Sequence, residues 1–249
     1  MPEPPPGFAA TGDVARLIAR REHLEELVTL GLQEPAEWTR RLAGGSSGSG
    51  RGPTAVVELP SGATRLRLKQ MRRGGTLAAL WRERYLGVSR LLGNLTLPDE
   101  AVLRGIATPA PVALLLQPGP PGFFRAWIAF ENLDRAEDLC SVLLSERPPR
   151  PHEYTALAEL VRRLHERGIE HRDLNLGNLL LERRQEEGAR AWVVDLDRAR
   201  LHAGPVPPRR RRAVLERLLR SYFKEVGADS PTGEGFVRFM SQAARGDEA

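Results

Sequence analysis

The sequence predicts an α+β fold of two lobes, a small lobe of mainly antiparallel strands followed by a reduced helical lobe. Residues 44–130 contain short apolar runs of period two that are bounded by Gly and Pro, which is typical of strands. Residues 153–167 have apolar side chains at helical spacing, and Gly168 follows as a stop signal. With 249 residues and 41% hydrophobic content, the chain can bury one core of two lobes but not two large domains.

The lobes are flanked by two further segments. Residues 1–43 begin with a Pro-rich stretch and continue into a predicted helix, an N-terminal extension that we expect to pack on the first lobe. Its apolar positions at helical spacing are Val14, Leu17, Ile18, Leu24, Leu27 and Val28. The second lobe is predicted over residues 131–225, and residues 226–249 are predicted to be a C-terminal tail with a disordered end.

The motif with the most chemical content is H-R-D-L-N-L-G-N-L-L-L at residues 171–181, followed by W-V-V-D-L-D at 192–197. Phosphoryl transfer requires an acceptor of the hydroxyl proton and hard oxygen ligands for Mg²⁺ on ATP. Asp173 is the candidate base, and Asn178 and Asp195 are the candidate metal ligands. Two short apolar strands joined by a polar hairpin are predicted to bring Asn178 and Asp195 together. The order of these elements predicts a protein-kinase-like fold.

A glycine-rich segment and a lysine precede this motif. Backbone amides at Gly48, Gly50 and Gly52 are candidates for contact with phosphates, although G-S-G-R-G does not match G-x-G-x-x-G and a flexible linker is the competing interpretation. Residues 55–59 and 64–71 form a predicted hairpin that places Lys69 on its second strand. Lys69 and Lys224 are the only lysines among 37 basic residues, so a lysine on this strand indicates a site that needs a compact ammonium.

Two further parts of an ATP site are predicted from order along the chain. Glu100 is the favoured ion-pair partner of Lys69, and Glu83 is its rival. The strand at 127–130 is predicted to lead to a hinge, where main-chain groups of Glu131 and Leu133 would contact adenine.

The substrate is predicted to be a small molecule or a sugar. A protein kinase needs a long activation segment with an A-P-E element and a large helical lobe that docks a peptide, and neither is found after Asp195. Asn175 also stands where Ser/Thr kinases usually have a lysine.

Several segments together resemble the lipopolysaccharide kinases, the 3-deoxy-D-manno-octulosonic acid (Kdo) kinases and core heptose kinases. The resemblance covers about residues 44–225 and is most specific in D-L-N-x-x-N and D-L-D-R. The other segments are G-R-G from Gly50, M-R-R-G-G from Met71, R-Y-L-G from Arg84, G-I-A-T-P-A-P from Gly105 and R-L-L-R-S-Y-F-K from Arg217.

The resemblance implies transfer from ATP, with Mg²⁺, to an inner-core sugar hydroxyl of a Kdo-lipid A type acceptor at the cytoplasmic face of the inner membrane. It assigns Asp173 as base, Asn178 and Asp195 to the metal, and Lys69 to the phosphates. One position departs from the family: Arg90 is followed by Asn94 where the family usually has Arg-X-X-X-Glu. The competing functions are a core heptose kinase, another small-molecule kinase, or a pseudokinase that acts as a nucleotide-binding or membrane-docking module.

Composition limits the partners and the location. The formal charge of +5 favours an anionic partner; Arg209 to Arg212, with Arg72 and Arg73, are candidates for contact with an anionic membrane, and a solvated basic face is the alternative. No nucleic-acid signature accompanies the charge, so we expect no nucleic-acid partner. The single cysteine, Cys140, excludes an internal disulfide. The start lacks signal-peptide features, and we expect a cytoplasmic or peripheral monomer.

Overall fold

The computed structural model describes residues 3–47, 52–72, 84–120, 122–184 and 188–245. The chain divides into two compact units. The first contains residues 1–99 and 110–132, and the second contains residues 100–109 and 133–249. Residues 1–43, predicted as an extension, lie in the first unit, and residues 100–109 and the predicted tail lie in the second.

The first unit is built on one antiparallel sheet. In the described residues its strands are β1 (Phe8–Thr11), β2 (Arg16–Arg20), β3 (Ser46–Ser47), β4 (Pro53–Glu58), β5 (Arg65–Gln70), β6 (Tyr85–Leu86), β7 (Pro111–Pro118) and β8 (Phe123–Glu131). Their order is β1-β2-β7-β8-β5-β4-β3, with β6 paired to β8. The predicted hairpin is confirmed as β4 and β5, with Leu66 and Leu68 buried and Arg65 and Arg67 exposed. The period of two along β5 thus gives this strand one apolar and one basic face.

Helices cover both faces of this sheet. They are α1 (Leu24–Thr29), α2 (Pro35–Ala43) and α3 (Ser89–Leu103). Trp38 of α2 is fully buried in a core with Leu66 and Leu68, and its indole N–H donates to the Leu32 carbonyl over 2.7 Å. Leu91 and Leu95 of α3 belong to a second core on the other face. Strand β7 is apolar and buried from Pro111 to Leu116 because both of its faces are covered there.

The predicted N-terminal helix is wrong at its beginning. Residues 16–20 form β2, and only Leu24–Thr29 is helical in that region. Leu17 and Ile18 are both fully buried, one in each of the two cores, because successive side chains of a strand point to opposite faces. Two adjacent apolar residues are compatible with the apolar stripe of a helix and with a central strand, so the sequence pattern did not distinguish a helix from a strand here.

The second unit is mainly helical. Its strands are β9 (Ala136–Asp138), β10 (Ile169–Glu170), β11 (Leu179–Arg184), β12 (Gly188–Val193) and β13 (Arg200–Leu201). Its helices are α4 (Leu139–Leu144), α5 (Pro151–Glu166), α6 (Pro208–Glu225) and α7 (Gly233–Ala244). Strand β11 pairs with β12 and β9, and β10 pairs with β13. Helix α5 ends as predicted, with Gly168 in the left-handed region at φ +74°.

The C-terminal region contains two helices. Helix α6 begins at Pro208, because Pro is favoured at the first helical position and the arginines that follow are good helix formers. Helix α7 lies within the predicted tail and buries Phe236 and Phe239, with the Phe236 ring stacked 4.0 Å from that of Tyr222. Residues 246–249, predicted to be disordered, lie outside the described residues. Among the helices of the described ranges, none has the length and apolarity that a membrane crossing needs.

Candidate active site

The motif residues 171–178 lie between two short strands of the second unit. Strand β10 leads into the loop and β11 leaves it, and β11 pairs with β12 so that Leu179 is opposite Val193. The pairing continues past the strands, because the Val194 N–H donates to the Asn178 carbonyl over 3.0 Å. Asn178 and Asp195 are therefore held side by side on adjacent chain segments, as the hairpin pattern predicts.

His171 fixes this loop from inside. The side chain is 1% exposed; its Nε2 lies 3.0 Å from the Val194 carbonyl, and its Nδ1 accepts from the Asp173 N–H over 3.3 Å. The two partners require the neutral ring with hydrogen on Nε2, since a carbonyl only accepts and an N–H only donates. Burial lowers the pKa of His171 below its usual range, which favours the same form. The imidazole is thus a positioning group for Asp173 and for the chain before Asp195.

Asp173 is held by its main chain while its carboxylate is accessible. The Asp173 carbonyl accepts from the side-chain amides of Asn175 and Asn178, each over 3.0 Å. Its side chain is 47% exposed, and one carboxylate oxygen lies 3.7 Å from Nη1 of Arg217. A fixed backbone with an accessible carboxylate suits a group that receives a proton from a substrate hydroxyl.

Asp195 and Asn178 have the chemistry of a magnesium site. Asp195 has φ 66° and ψ 48°, and among the described non-glycine residues it is the one with positive φ. Such a conformation costs about 1–3 kcal/mol and is found most often at functional sites. The Asn178 amide N–H₂ donates to the Asp173 carbonyl, which directs the amide oxygen away from this bond and makes it the candidate ligand atom. A carboxylate and an amide oxygen fit Mg²⁺ that is also bound by phosphate oxygens.

A metal site built from protein ligands alone is not found in the described ranges. They contain no group of three or more His, Cys, Asp or Glu side chains placed to hold a metal.

The basic and glycine candidates lie in the first unit. Lys69 is half-buried on β5 opposite Thr54 of β4, and its Nζ lies 5.4 Å from the centroid of the Phe130 ring. A Cβ at Gly52 would meet the Arg72 guanidinium at 3.2 Å. Gly48 and Gly50 lie outside the described residues, so their prediction stays a prediction.

The Glu100 carboxylate has a partner that the sequence did not predict. Its Oε1 accepts from Nε of Arg104 over 2.8 Å. Arg104 lies four residues later, immediately after the end of α3. Nη1 of Arg104 also donates to the carbonyls of Arg167 and His202, so Glu100 orients an arginine that bonds to two loops within the second unit. The Lys69–Glu100 pair stays a prediction without support from these contacts. Glu83 lies outside the described residues.

Asn94, the residue that departs from the family pattern, is buried within α3. Its Nδ2 donates to the Arg90 carbonyl over 3.0 Å, one turn earlier. The amide therefore bonds along its own helix, which a glutamate at this position would not do because a carboxylate has no donor.

The predicted hinge residues are on the chain segment where the two units divide. Glu131 ends β8, where its N–H donates to the Ala110 carbonyl over 2.9 Å, and the division falls between Asn132 and Leu133. The Leu133 carbonyl accepts from the Ala136 N–H. Their predicted contact with adenine stays a prediction.

A buried cluster next to the motif was missed by sequence reasoning. Glu170, immediately before His171, is nearly buried and accepts from Nε2 of His202 over 2.9 Å and from Nη1 of Arg210 over 3.1 Å. Burial raises the pKa of Glu170, but the hydrogen bonds of His202 and Arg210 outweigh it and hold the pKa below its usual value. A charged residue in an otherwise apolar strand before the motif was the available signal.

The arginines of the predicted basic patch differ in their contacts and exposure. Arg210 is bound to Glu170, and Nε of Arg211 donates to the Val206 carbonyl over 2.7 Å. Arg209, Arg210 and Arg212 are the exposed members of the run, and Arg211 is half-buried. Arg72 is exposed in the first unit, and Arg73 lies outside the described residues.

Comparison with known sequences gives one consistent result. Residues 36–241 match the model of the lipopolysaccharide kinase (Kdo/WaaP) family. A 3-deoxy-D-manno-octulosonic acid kinase of Xylella fastidiosa (strain 9a5c) is 33% identical over 208 residues, which cover 82% of this chain and 78% of that protein. One of Haemophilus influenzae (strain PittEE) is 30% identical over 196 residues, covering 76% and 79%.

Two solved structures share the fold. WaaP in complex with acyl carrier protein aligns with a TM-score of 0.55 and 23% identity, over 92% of this chain and 89% of that chain. The Rio2 kinase–ADP/Mg²⁺-phosphoaspartate complex from Chaetomium thermophilum aligns with a TM-score of 0.51 and 16% identity, over 96% and 73%. The predicted protein-kinase-like α+β fold is confirmed.

Proposed function

Because the chain belongs to the lipopolysaccharide kinase (Kdo/WaaP) family and is thus an ATP-dependent phosphotransferase acting on a sugar hydroxyl, we propose that it phosphorylates a Kdo hydroxyl on a lipid A precursor. The observation that supports an active enzyme most is the hydrogen-bond network around Asp173. His171 and Asn178 each bond both to Asp173 and to the segment that ends at Asp195. A module that only bound nucleotide would not need the accessible carboxylate at the centre of this network.

The proposed reaction is a single displacement at phosphorus. The acceptor hydroxyl oxygen bonds to the γ-phosphorus of ATP, the bond to the β–γ bridging oxygen breaks, and ADP leaves with that electron pair. Asp173 receives the hydroxyl proton. His171 remains neutral and holds the Asp173 main chain, which keeps the carboxylate in place during the transfer.

The nucleotide roles follow the family positions. Asn178 and Asp195 would hold Mg²⁺, which neutralises charge on the transferred phosphoryl group when it is bound. Lys69 would contact the phosphates together with main-chain amides near Gly52, and main-chain groups of Glu131 and Leu133 would contact adenine.

The acceptor is proposed to be presented by an anionic membrane surface. Arg209 and Arg212 are exposed at the start of α6, where their charges can approach lipid phosphates. A monomer that binds peripherally at the cytoplasmic face of the inner membrane is the simplest arrangement consistent with this acceptor.

Transfer to purified Kdo-lipid A with Mg-ATP tests the proposal. Product mass spectrometry should detect one added phosphoryl group on the Kdo portion of the acceptor. Asp173→Ala should lower the transfer rate by a factor of about 10²–10⁴ while Mg-ATP affinity stays near that of the wild type.

The contrary results are equally specific. Phosphorylation of heptosylated core but not of Kdo-lipid A would move the assignment to a core heptose kinase. Full turnover by the Asp173→Ala protein would refute the proposed base.

A further inference from the structure

Helix α6 is fixed against the catalytic loop along one of its faces. Arg210, Arg217 and Ser221 lie on this face at spacings of seven and four residues, close to whole helical turns. Arg210 bonds to Glu170 before the loop, and the Ser221 hydroxyl accepts from the Leu176 N–H, within the loop, over 3.2 Å. Arg217 is therefore held between two anchored positions of a rigid element.

The contact that Arg217 makes is loose. Its Nη1 lies 3.7 Å from Oδ1 of Asp173, longer than the roughly 2.7–2.9 Å of a charge-assisted hydrogen bond, and the side chains are 48% and 47% exposed. An exposed ion pair of this length contributes little to folding stability. The neighbouring anchors Arg210 and Ser221, by contrast, form close hydrogen bonds with largely buried partners.

We propose that Arg217 binds the anionic group of the acceptor and thereby places its hydroxyl at Asp173. The proposal rests on the proposed function, because it takes the acceptor to be a sugar with a carboxylate or phosphate nearby. The guanidinium has five donors in a planar fork, so it can bind an oxyanion in bidentate fashion beside Asp173. The hydroxyl of a sugar bound in this way would lie within a few bonds of the anion and close to the carboxylate.

A positively charged side chain beside Asp173 would also favour binding of an anionic acceptor. An anionic acceptor approaches a site that already contains the carboxylates of Asp173 and Asp195, and like charges repel at short distance. Arg217 offsets that repulsion at the point where the acceptor must enter. Arg210 cannot serve, since its guanidinium is bound by Glu170.

The test compares Arg217→Gln with a variant that loses the same charge elsewhere. Arg238→Gln on α7 is the control, because Arg238 is 73% exposed and its single described ion pair, with Glu234, is 3.6 Å long. Binding of Kdo-lipid A to each Mg-ADP-loaded protein is measured by calorimetry, and KM values for acceptor and ATP are measured separately. We expect Arg217→Gln to weaken acceptor binding about tenfold or more and to leave the KM for ATP unchanged.

Modified acceptors identify the group that is bound. The wild type should bind either the carboxyl methyl ester or the dephosphorylated lipid more weakly than the parent acceptor. Weaker binding of the ester would identify the carboxylate as the group that Arg217 binds, and weaker binding of the dephosphorylated lipid would identify a phosphate. Arg217→Gln should not distinguish that form from the parent, whereas a merely structural arginine would leave the discrimination intact. Arg217→Lys should restore part of the affinity.

The outcomes separate this proposal from the proposed function. Wild-type binding and transfer with an unchanged Arg217→Gln variant would overturn the role of Arg217 and leave the function standing. Binding that depends on Arg217 without any transfer would overturn the function and support the anion site. Failure of the wild type to bind the acceptor would overturn both.

Discussion

At the scale of single residues, the candidate site depends on side chains that hold other groups in place. The His171 ring bonds to main-chain groups of Asp173 and Val194, the Asn178 side-chain amide bonds to the Asp173 carbonyl, and neither side chain needs to change charge during transfer. The main chain at the candidate carboxylates, Asp173 and Asp195, is thus positioned by contacts that form on folding. Preorganised charges of this kind need no rearrangement at the moment of reaction.

Asp195→Asn removes the negative charge of the candidate metal ligand and keeps the left-handed backbone conformation at this position. Asn tolerates the left-handed conformation as well as Asp does, so the variant should fold normally. Loss of the negative ligand should weaken Mg-ATP binding by roughly tenfold or more and leave Mg-free nucleotide binding nearly unchanged. Calorimetric titration with and without Mg²⁺ measures both, and an unchanged Mg-ATP affinity would contradict the metal assignment.

His171 should make the free energy of unfolding depend on pH. Burial lowers its pKa below 6.5, so between the folded-state pKa and 6.5 the unfolded chain binds more protons than the folded one. Stability from the buried neutral ring is complete above pH 6.5 and falls by up to about 1.4 kcal/mol per pH unit below it.

His171→Gln tests this, because glutamine has a donor and an acceptor but does not titrate. Urea unfolding at several pH values between 5 and 8 should show a smaller slope for the variant than for the wild type, with about 1–3 kcal/mol lost at pH 8 from imperfect hydrogen bonds. Parallel slopes for the two proteins would mean that His171 is not the titrating group.

At the scale of elements, the sequence predicted what local patterns determine. The hairpin of β4 and β5, helix α5 with its glycine stop, and the β11–β12 pairing that places Asn178 opposite Val194, next to Asp195, all follow from periodicity and turn residues. The N-terminal strands did not follow, because Leu17 and Ile18 are buried by long-range pairing of β2 with β7. The partner of Glu100 was missed for a related reason: a helical i,i+4 arginine was present in the sequence, but its two carbonyl acceptors come from distant loops.

Substitution of Gly168 tests whether the turn before the loop at residues 171–178 requires glycine. It has φ +74°, and a Cβ there would lie 2.4 Å from the Gly204 carbonyl oxygen. Gly168→Ala should destabilise the protein by about 2 kcal/mol or more, since strain and overlap add. Gly204→Ala, on the opposite side of the same contact, meets nothing within 4 Å and is the matched control for denaturant midpoints. Equal midpoints for the two variants would contradict the described turn.

Glu100 forms an ion pair with Arg104 in the structure, whereas the sequence predicted an ion pair with Lys69. The two possible roles of Glu100 can be distinguished by mutation. If Glu100 acts through Arg104, Glu100→Gln and Arg104→Gln should lower stability to a similar extent and leave the KM for ATP unchanged. A rise in the KM for ATP caused by Glu100→Gln alone would instead support the pair with Lys69. Steady-state kinetics and thermal unfolding of the two variants distinguish these results.

At the scale of the whole molecule, the chain combines a confirmed kinase-like fold with a basic surface whose target is proposed. The double variant Arg209→Gln/Arg212→Gln should bind anionic vesicles more weakly by roughly 2 kcal/mol, at about 1 kcal/mol per arginine. Vesicle sedimentation at low and high salt measures this, with Arg238→Gln as a control for a single lost charge. The difference should diminish as salt rises, and a salt-independent difference would point to an apolar contact instead.

The order of strands in the first unit has a consequence for biosynthesis. Strands β7 and β8 are the central members of the sheet, yet they are the last of its strands to be translated. Until β7 and β8 have left the ribosome, β2 lacks its partner β7 and β5 lacks its partner β8. Before then the sheet consists of two separate groups, β1–β2 and β3–β4–β5, and such small groups of strands are marginally stable in water. The nascent chain therefore exposes apolar strand edges for most of the synthesis of this unit, a period in which intermediates aggregate easily. Slower translation before residue 110 would lengthen that exposure, whereas a pause after residue 132 has emerged would give the sheet time to close.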